Sequence, residues 1–142
     1  MLYNIKMKLG IFGATGVVGL KLIDLLNEKN TQFDKLYLFA STSGRHITVQ
    51  GKIYTVQKLD NKRIDIDVAI FCTPSSVSKQ YCMQYLDSNC IIIDNSSAFR
   101  MQSPLIIPEI NGGNIKQLVR RFGNIISNPN CSTIILAMVL AP

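Results

Sequence analysis

The chain has 142 residues, of which 47% are hydrophobic and 17% charged. The charged share lies below the ~25% of an average globular domain, which excludes an intrinsically disordered chain, and the length corresponds to one domain of roughly 100–200 residues, enough to bury a core. Fifteen Lys and Arg against 9 Asp and Glu give a net charge of +6. The basic residues are scattered, with no run beyond Arg120-Arg121, so a nucleic-acid face is not expected; a moderate positive balance suits small anionic ligands or a plain solvated surface.

The longest apolar stretch, residues 134–141, has 8 residues, against the ~20 that a membrane-spanning helix needs. Residues 1–10 lack the charged start, apolar stretch and cleavage site of a signal peptide. The expectation is a cytoplasmic chain whose start is Met1 or Met7. The cysteines, Cys72, Cys82, Cys90 and Cys131, show no CxxC spacing and no histidine cluster, so neither a metal site nor disulfides are expected. Cys72 and Cys90 lie in apolar runs and read as buried fillers.

In chain order, residues 8–12 read as a first strand and 16–29 as a helix with Val18, Leu22, Ile23 and Leu26 at helical spacing. Residues 35–40 form a second strand, and 47–56 alternate weakly around Gly51, as one or two short strands. Residues 68–72 read as a buried strand, 77–86 as a helix, 90–94 as a strand, 114–121 as a short helix, 125–126 as a short strand and 131–140 as a helix. Strands alternating with helices predict an α/β fold: a Rossmann-like, mostly parallel sheet with helices on both faces. The last helix is apolar almost all round and needs a partner on several sides, so the expectation is a chain cut short by a truncated gene or a split reading frame, or else a helix buried in this domain or a dimer.

Gly13-Ala-Thr-Gly16-Val-Val-Gly19 follows the first strand and opens the first helix. In that setting Gly13 permits a tight turn, Gly16 lets a pyrophosphate approach the backbone, and Gly19 allows close helix–strand packing, with the helix N–H groups facing the phosphates. The same glycines would also serve a turn kept for packing alone. An NAD-preferring fold carries an acid about 20 residues further on. Here the second strand ends without one, and Ser41, Thr42, Ser43 and Arg45 follow. Hydroxyls and an arginine suit a 2′-phosphate, so NADP is expected over NAD, with a solvated Arg45 as the plainer alternative.

Ser127-Asn128-Pro129-Asn130-Cys131-Ser132-Thr133 joins a strand to a helix. Asn130 or Ser132 can cap that helix, which puts Cys131 where free N–H groups and the helix dipole favour a negatively charged sulfur. The same N–H groups and the Asn130 side chain can hold an oxyanion, the layout of a nucleophile for acyl chemistry; a cap beside an ordinary cysteine is the competing reading. The single histidine, His46, lies just after the second strand and reads as a surface or loop residue rather than the base. Asp94-Asn95-Ser96-Ser97-Ala98-Phe99-Arg100 leaves a strand for a loop. Arg100 there can bind a phosphate or carboxylate bidentately, unless the segment is a hydrophilic connector. Pro108-Glu109-Ile110-Asn111-Gly112 forms a second polar loop, with Glu109 a pocket residue or a plain surface acid.

GATGVVG (13–19), FCTPSSVSKQY (71–81), IIDNSSAFRM (92–101), IPEIN (107–111) and SNPNCSTI (127–134) stand in the order and spacing of one family. Together they resemble aspartate-β-semialdehyde dehydrogenase, from about Lys8 to the last residue. The resemblance implies NADPH-dependent reductive dephosphorylation of aspartyl-4-phosphate to aspartate semialdehyde, in the supply of lysine, methionine, threonine and diaminopimelate. It implies Cys131 as the nucleophile that forms a thioacyl-enzyme, with Asn130 at the oxyanion. Arg100, Asn95 and Ser97 would bind substrate or inorganic phosphate. Gly13, Thr15, Gly16, Val17 and Val18 would cradle the pyrophosphate, and Thr73, Pro74 and Ser75 would line the cofactor near the nicotinamide, while Ser41, Thr42 and Arg45 are placed at the ribose phosphate by their own chemistry.

The family often carries an arginine inside a Ser-x-Arg-Ser-type loop; here the loop is the shorter Ser41-Thr-Ser-Gly44, and the arginine follows the glycine. The family's second half supplies the catalytic histidine, a carboxylate-binding arginine and most of a homodimer interface. The domain reading is therefore 1–130 as the NADP-binding domain and 131–142 as the first helix of a catalytic domain, inactive as this chain alone. An N-acetylglutamyl-phosphate reductase shares the architecture, but the NSSAFR and NPNCST segments argue against it. A non-catalytic nucleotide-binding module and a degenerate gene product are further alternatives.

Overall fold

The computed structural model describes residues 7–141, the side chains of Arg120 and Phe122 excepted. The readings placed on residues 1–6, including a start at Met1, and on Pro142 lie outside the described residues. The chain divides into two compact units, Met1–Thr73 and Pro74–Pro142.

The first unit is built on β1 (Lys8–Phe12), whose residues after Lys8 are all buried. A strand covered on both faces reads as a continuous apolar run rather than an alternating one. β1 pairs in parallel with β2 (Lys35–Ala40) on one side and with β6 (Val68–Phe71) on the other, and β2 pairs in parallel with β5 (Gln57–Lys58). The register sets Phe39, Phe12 and Phe71 on one rung. Their rings stack, Phe12 on Phe39 at 4.6 Å and on Phe71 at 4.2 Å between centroids. That rung sits one residue before the glycine loop, so the loop rests on a stiff aromatic floor.

Helix α1 (Val17–Glu28) follows the loop and buries Gly19, Ile23 and Leu26. Ile23 and Leu26 join Leu9, Ile11, Leu36 and Leu38 in the core. Val18, counted from its spacing among the apolar positions, is 54% exposed, because it lies in the first turn with its side chain outward. The weakly alternating stretch resolves into two antiparallel strands, β3 (His46–Val49) and β4 (Lys52–Thr55). Gln50 and Gly51 turn between them, both with positive φ (49° and 76°), as tight hairpin turns require.

The second unit carries α2 (Ser75–Cys82), continued by a 3₁₀ turn at Met83–Tyr85, then β7 (Ile91–Asp94), α3 (Pro108–Asn111), α4 (Ile115–Phe122), β8 (Ile125–Ser127) and α5 (Cys131–Leu140). β7 and β8 pair in parallel, with Asp94 opposite Ser127. Cys82, Tyr85, Cys90, Ile92, Phe99, Ile106 and Ile125 are buried here. The fold is α/β and Rossmann-like, with a mostly parallel strand set, as the alternation of elements predicts. The strand expected from residue 90 starts at Ile91, and the helix expected from residue 77 starts at Ser75. Two short elements, β5 and α3, have no counterpart in the sequence reading. No helix among the described residues is long and apolar enough to cross a membrane.

Candidate active site

In the first unit the glycine loop is held by the end of β2: the N–H groups of Gly13 and Ala14 both donate to the Phe39 carbonyl, at 2.8 and 2.9 Å. Gly13 has φ +85°, and a Cβ there would stand 2.3 Å from the Cys72 carbonyl oxygen; both facts demand glycine. A Cβ on Gly16 would meet nothing nearer than the Gly13 oxygen, at 3.4 Å. Nothing in the protein's own packing therefore requires glycine at residue 16. Gly16 is the N-cap of α1 and supplies no side-chain cap, and the first turn carries no acid. The first N–H groups of a helix have no intrahelical acceptor, so this end of α1 presents donors to an anion. Val17, 88% exposed, and Val18 flank it, with Thr15 half-buried. Thr73 lies against the loop, its methyl 3.1 Å from the same Cβ position on Gly13. These features fit a dinucleotide pyrophosphate.

Ser41, Thr42 and Arg45 are exposed in the segment after β2. Its backbone is pinned by Gly44 N–H to the Val56 carbonyl (3.0 Å) and Val56 N–H to the Arg45 carbonyl (2.8 Å). The Arg45 guanidinium has no protein partner among the described residues. His46 is exposed at the start of β3, with its Nδ1 3.1 Å from Thr55 Oγ1.

In the second unit β7 ends in Asp94, a fully buried carboxylate. It accepts from Ser96 N–H at 3.1 Å and from Ser96 Oγ at 2.8 Å, an Asx turn that folds residues 95–98 back over the strand end. Ser97 is exposed there, and its hydroxyl lies 2.9 Å from that of Ser75, the first residue of α2. A serine expected at the cofactor and one expected at the phosphate thus stand side by side. Pro74, the N-cap of α2, is exposed.

Arg100 is half-buried and held by backbone: Nε donates to the Asn128 carbonyl at 3.0 Å and Nη2 to the Asn95 carbonyl at 3.1 Å. Asn130 caps α5, its Oδ1 accepting from Ser132 N–H at 3.0 Å, and its amide Nδ2 has no partner among the described residues. Cys131 opens α5 and is exposed, with Sγ 3.9 Å from Asn130 Oδ1. An exposed sulfur on the first turn of a helix, beside an unspent amide donor, can attack a carbonyl and meet N–H groups where the oxyanion forms.

Cys82 and Cys90 are buried, whereas Cys72 is only half-buried and is not the core filler that its apolar run predicts; it stands at the end of β6, where the chain leaves for the loop. Burial first, then the Asp94 charge and Cys90, push the Cys82 thiol up, which keeps it protonated. Two residues that organise the site were not singled out in sequence, Asp94 and Asn128. An aspartate at a strand end with serine two residues on is a turn signature that could have marked the first. Glu109 is exposed at the start of α3. On α5 none of the described residues is buried, and Ile135, Leu136, Val139 and Leu140 are mostly exposed.

Residues 8–118 match the family model described as semialdehyde dehydrogenase, NAD binding domain. Aspartate-semialdehyde dehydrogenase of Rickettsia conorii is 42% identical over 142 residues, covering 96% of this chain and 41% of the relative. The crystal structure of aspartate semialdehyde dehydrogenase II from Vibrio cholerae, complexed with ASA, superposes with a TM-score of 0.86 at 33% identity, covering 96% of this chain and 46% of that one. The Candida albicans enzyme with NADP gives 0.72 at 25% identity over 96% of this chain and 46% of that one. The chain thus spans about 41% of the length of the curated relative. It belongs to the semialdehyde dehydrogenase family and holds that family's NAD-binding domain.

Proposed function

We propose that this member of the semialdehyde dehydrogenase family supplies the cofactor-binding and nucleophile-bearing part of an aspartate-semialdehyde dehydrogenase. The reaction is reductive dephosphorylation of aspartyl-4-phosphate to aspartate semialdehyde. The observation that carries this reading is Cys131, exposed on the first turn of α5 beside Asn130, on the same loop whose Asn128 carbonyl holds Arg100.

In this reading Cys131 Sγ attacks the acyl carbon, the bond to the phosphate oxygen breaks, and inorganic phosphate leaves a thioacyl-enzyme. The Asn130 amide and the first N–H groups of α5 hold the oxyanion. Arg100, with Asn95 and Ser97, binds the phosphate or the substrate. When bound, NADPH supplies the hydride that reduces the acyl carbon. Gly13, Thr15, Gly16, Val17 and Val18 hold its pyrophosphate, and Thr73, Pro74 and Ser75 line the nicotinamide side. NADP is preferred over NAD because Ser41, Thr42 and the unpartnered Arg45 meet a 2′-phosphate without an acid to repel it. Residues 1–130 are the NADP-binding domain, and 131–142 open a catalytic and dimerisation domain. The 142-residue chain alone is inactive, since it spans only about 41% of the length of the Rickettsia conorii relative. The complete enzyme works as a homodimer in the cytoplasm, in the supply of lysine, methionine, threonine and diaminopimelate.

A chimera tests this directly. Residues 1–142 replace the matching segment of the Rickettsia conorii relative, and NADPH-dependent turnover is assayed in both directions. The reading predicts turnover that Cys131→Ser abolishes and that the 142-residue chain lacks on its own. A folded chimera without turnover, or one indifferent to Cys131→Ser, would contradict it.

A further inference from the structure

Arg100 spends one of its two hydrogen-bonding edges on the protein. Nε and Nη2 share the side edge of a guanidinium, and both donate there, to the carbonyls of Asn128 and Asn95. The end edge, formed by Nη1 and the second N–H of Nη2, has no partner among the described residues and suits a bidentate anion. The direction of that edge is therefore set by two carbonyls on different segments, 28 and 5 residues away in sequence. One side chain ties those segments together: Asn128 Nδ2 donates to Asn95 Oδ1 at 2.7 Å, while Asn128 N–H donates to the Asp94 carbonyl at 2.8 Å. Asn128 stands three residues before Cys131 on the same loop.

We infer that Asn128 is a positioning residue, whose side-chain amide clamps Asn95 and thereby fixes Arg100 to present its end edge to a phosphate or carboxylate at a set place relative to the Cys131 loop. The inference rests on the reading of Arg100 as the anion-binding residue. Its physical content is separate: without the Asn128 amide, the Asn95 side chain loses the donor at its Oδ1, and the guanidinium's anchor on the Asn95 carbonyl is loosened.

The test uses the 142-residue chain, inorganic phosphate as the probe, and the Arg100 Nε–H as an internal reporter. In the wild-type chain that N–H should give a resolved, slowly exchanging signal in ¹H–¹⁵N spectra, and phosphate should bind saturably. Asn128→Leu, close in shape but without the amide, should speed Nε–H exchange and weaken phosphate about tenfold, the scale of one hydrogen bond to a charged group, at an unchanged backbone spectrum. Asn95→Leu cuts the same bond from the other side, so the double variant should lose less than the sum of the two single ones. Unchanged Nε–H exchange and phosphate affinity in folded Asn128→Leu, or additive losses in the pair, would overturn the inference. A fast-exchanging Nε–H in the wild type would overturn it without any variant. If the Nε–H is protected and lost with Asn128→Leu while phosphate binds neither protein, the clamp stands and the anion-site reading of Arg100 falls.

Discussion

The carbonyl oxygen of Gly13 lies 2.2 Å from the point where a Cβ on Gly19 would be built, with the Ala14 Cα at 2.9 Å. The turn entering α1 and the first turn of the helix itself are packed backbone to backbone. A methyl at residue 19 has to push backbone aside, not a flexible side chain. Gly19→Ala should cost about 1–3 kcal/mol of stability. Gly16→Ala has only a 3.4 Å contact to make and should cost under about 1 kcal/mol, as one helix-cap change does. Its effect should fall on the ligand instead, weakening NADPH at least tenfold. Urea melts and nucleotide titrations of both variants check the contrast; equal stability losses would contradict it.

The cysteines should separate by reactivity. Cys131 is exposed, Cys72 half-buried, and Cys82 and Cys90 buried. Under native conditions a thiol reagent should titrate one cysteine in a fast phase, and Cys131→Ser should remove that phase with little change in stability. Cys82 and Cys90 need local opening and should react at least ~10²-fold more slowly. Peptide mass mapping of the fast adduct identifies the site.

Cys82 also makes stability depend on pH. Burial, with the Asp94 charge and Cys90 adding to it, raises its ionisation above the ordinary thiol value. The unfolded chain loses this proton first, near pH 9, while the folded chain keeps it. Above that pH the folded state binds more protons than the unfolded one, so stability falls as pH rises, by at most about 1.4 kcal/mol per unit from this group. Below it the group costs nothing. Cys82→Ala should flatten the fall between pH 9 and 10.5, measured by urea melts at each pH.

Gln50 fastens the β3–β4 hairpin to α1. Its N–H donates to Asn27 Oδ1 at 2.6 Å, and its side-chain amide donates to the carbonyls of Leu26 at 3.1 Å and Thr31 at 2.8 Å. The Leu26 carbonyl also accepts from Thr31 N–H at 3.2 Å. Gln50→Ala should cost about 1–2 kcal/mol, from two side-chain bonds. Gln50→Gly should cost less, because φ of 49° at this residue suits glycine. The two variants compared by thermal melts decide whether the side chain or the turn matters more.

The elements most legible in sequence were those whose burial is written in composition. β1 and β2 have the bounds expected, because a run of mostly buried residues ends at Gly13 or at the polar Ser41 stretch; α5 has them because an apolar run opens after Pro129 and Asn130, although none of its described residues is buried. β5 was invisible: Gln57 and Lys58 are polar and exposed, and become a strand only by pairing with Phe39 and Ala40. α3 is one turn, started by Pro108 and closed by the Asn111 side chain accepting from Ile107 N–H, too short to show a period. Of the site, the residue types were legible, since glycine, arginine and cysteine each carry their chemistry with them. What fixes Arg100 was not. Its acceptors are backbone carbonyls, which every residue possesses, and the one at Asn128 lies 28 residues away.

The central claim is that residues 13–19 and the segment after β2 bind NADPH, and calorimetric titration of the folded 142-residue chain with NADPH and NADH tests it most directly. The account predicts saturable one-to-one binding of NADPH, weaker binding of NADH, and loss of that difference in Arg45→Ala. No heat and no competition at high nucleotide concentration, on a sample shown to be folded, would contradict it.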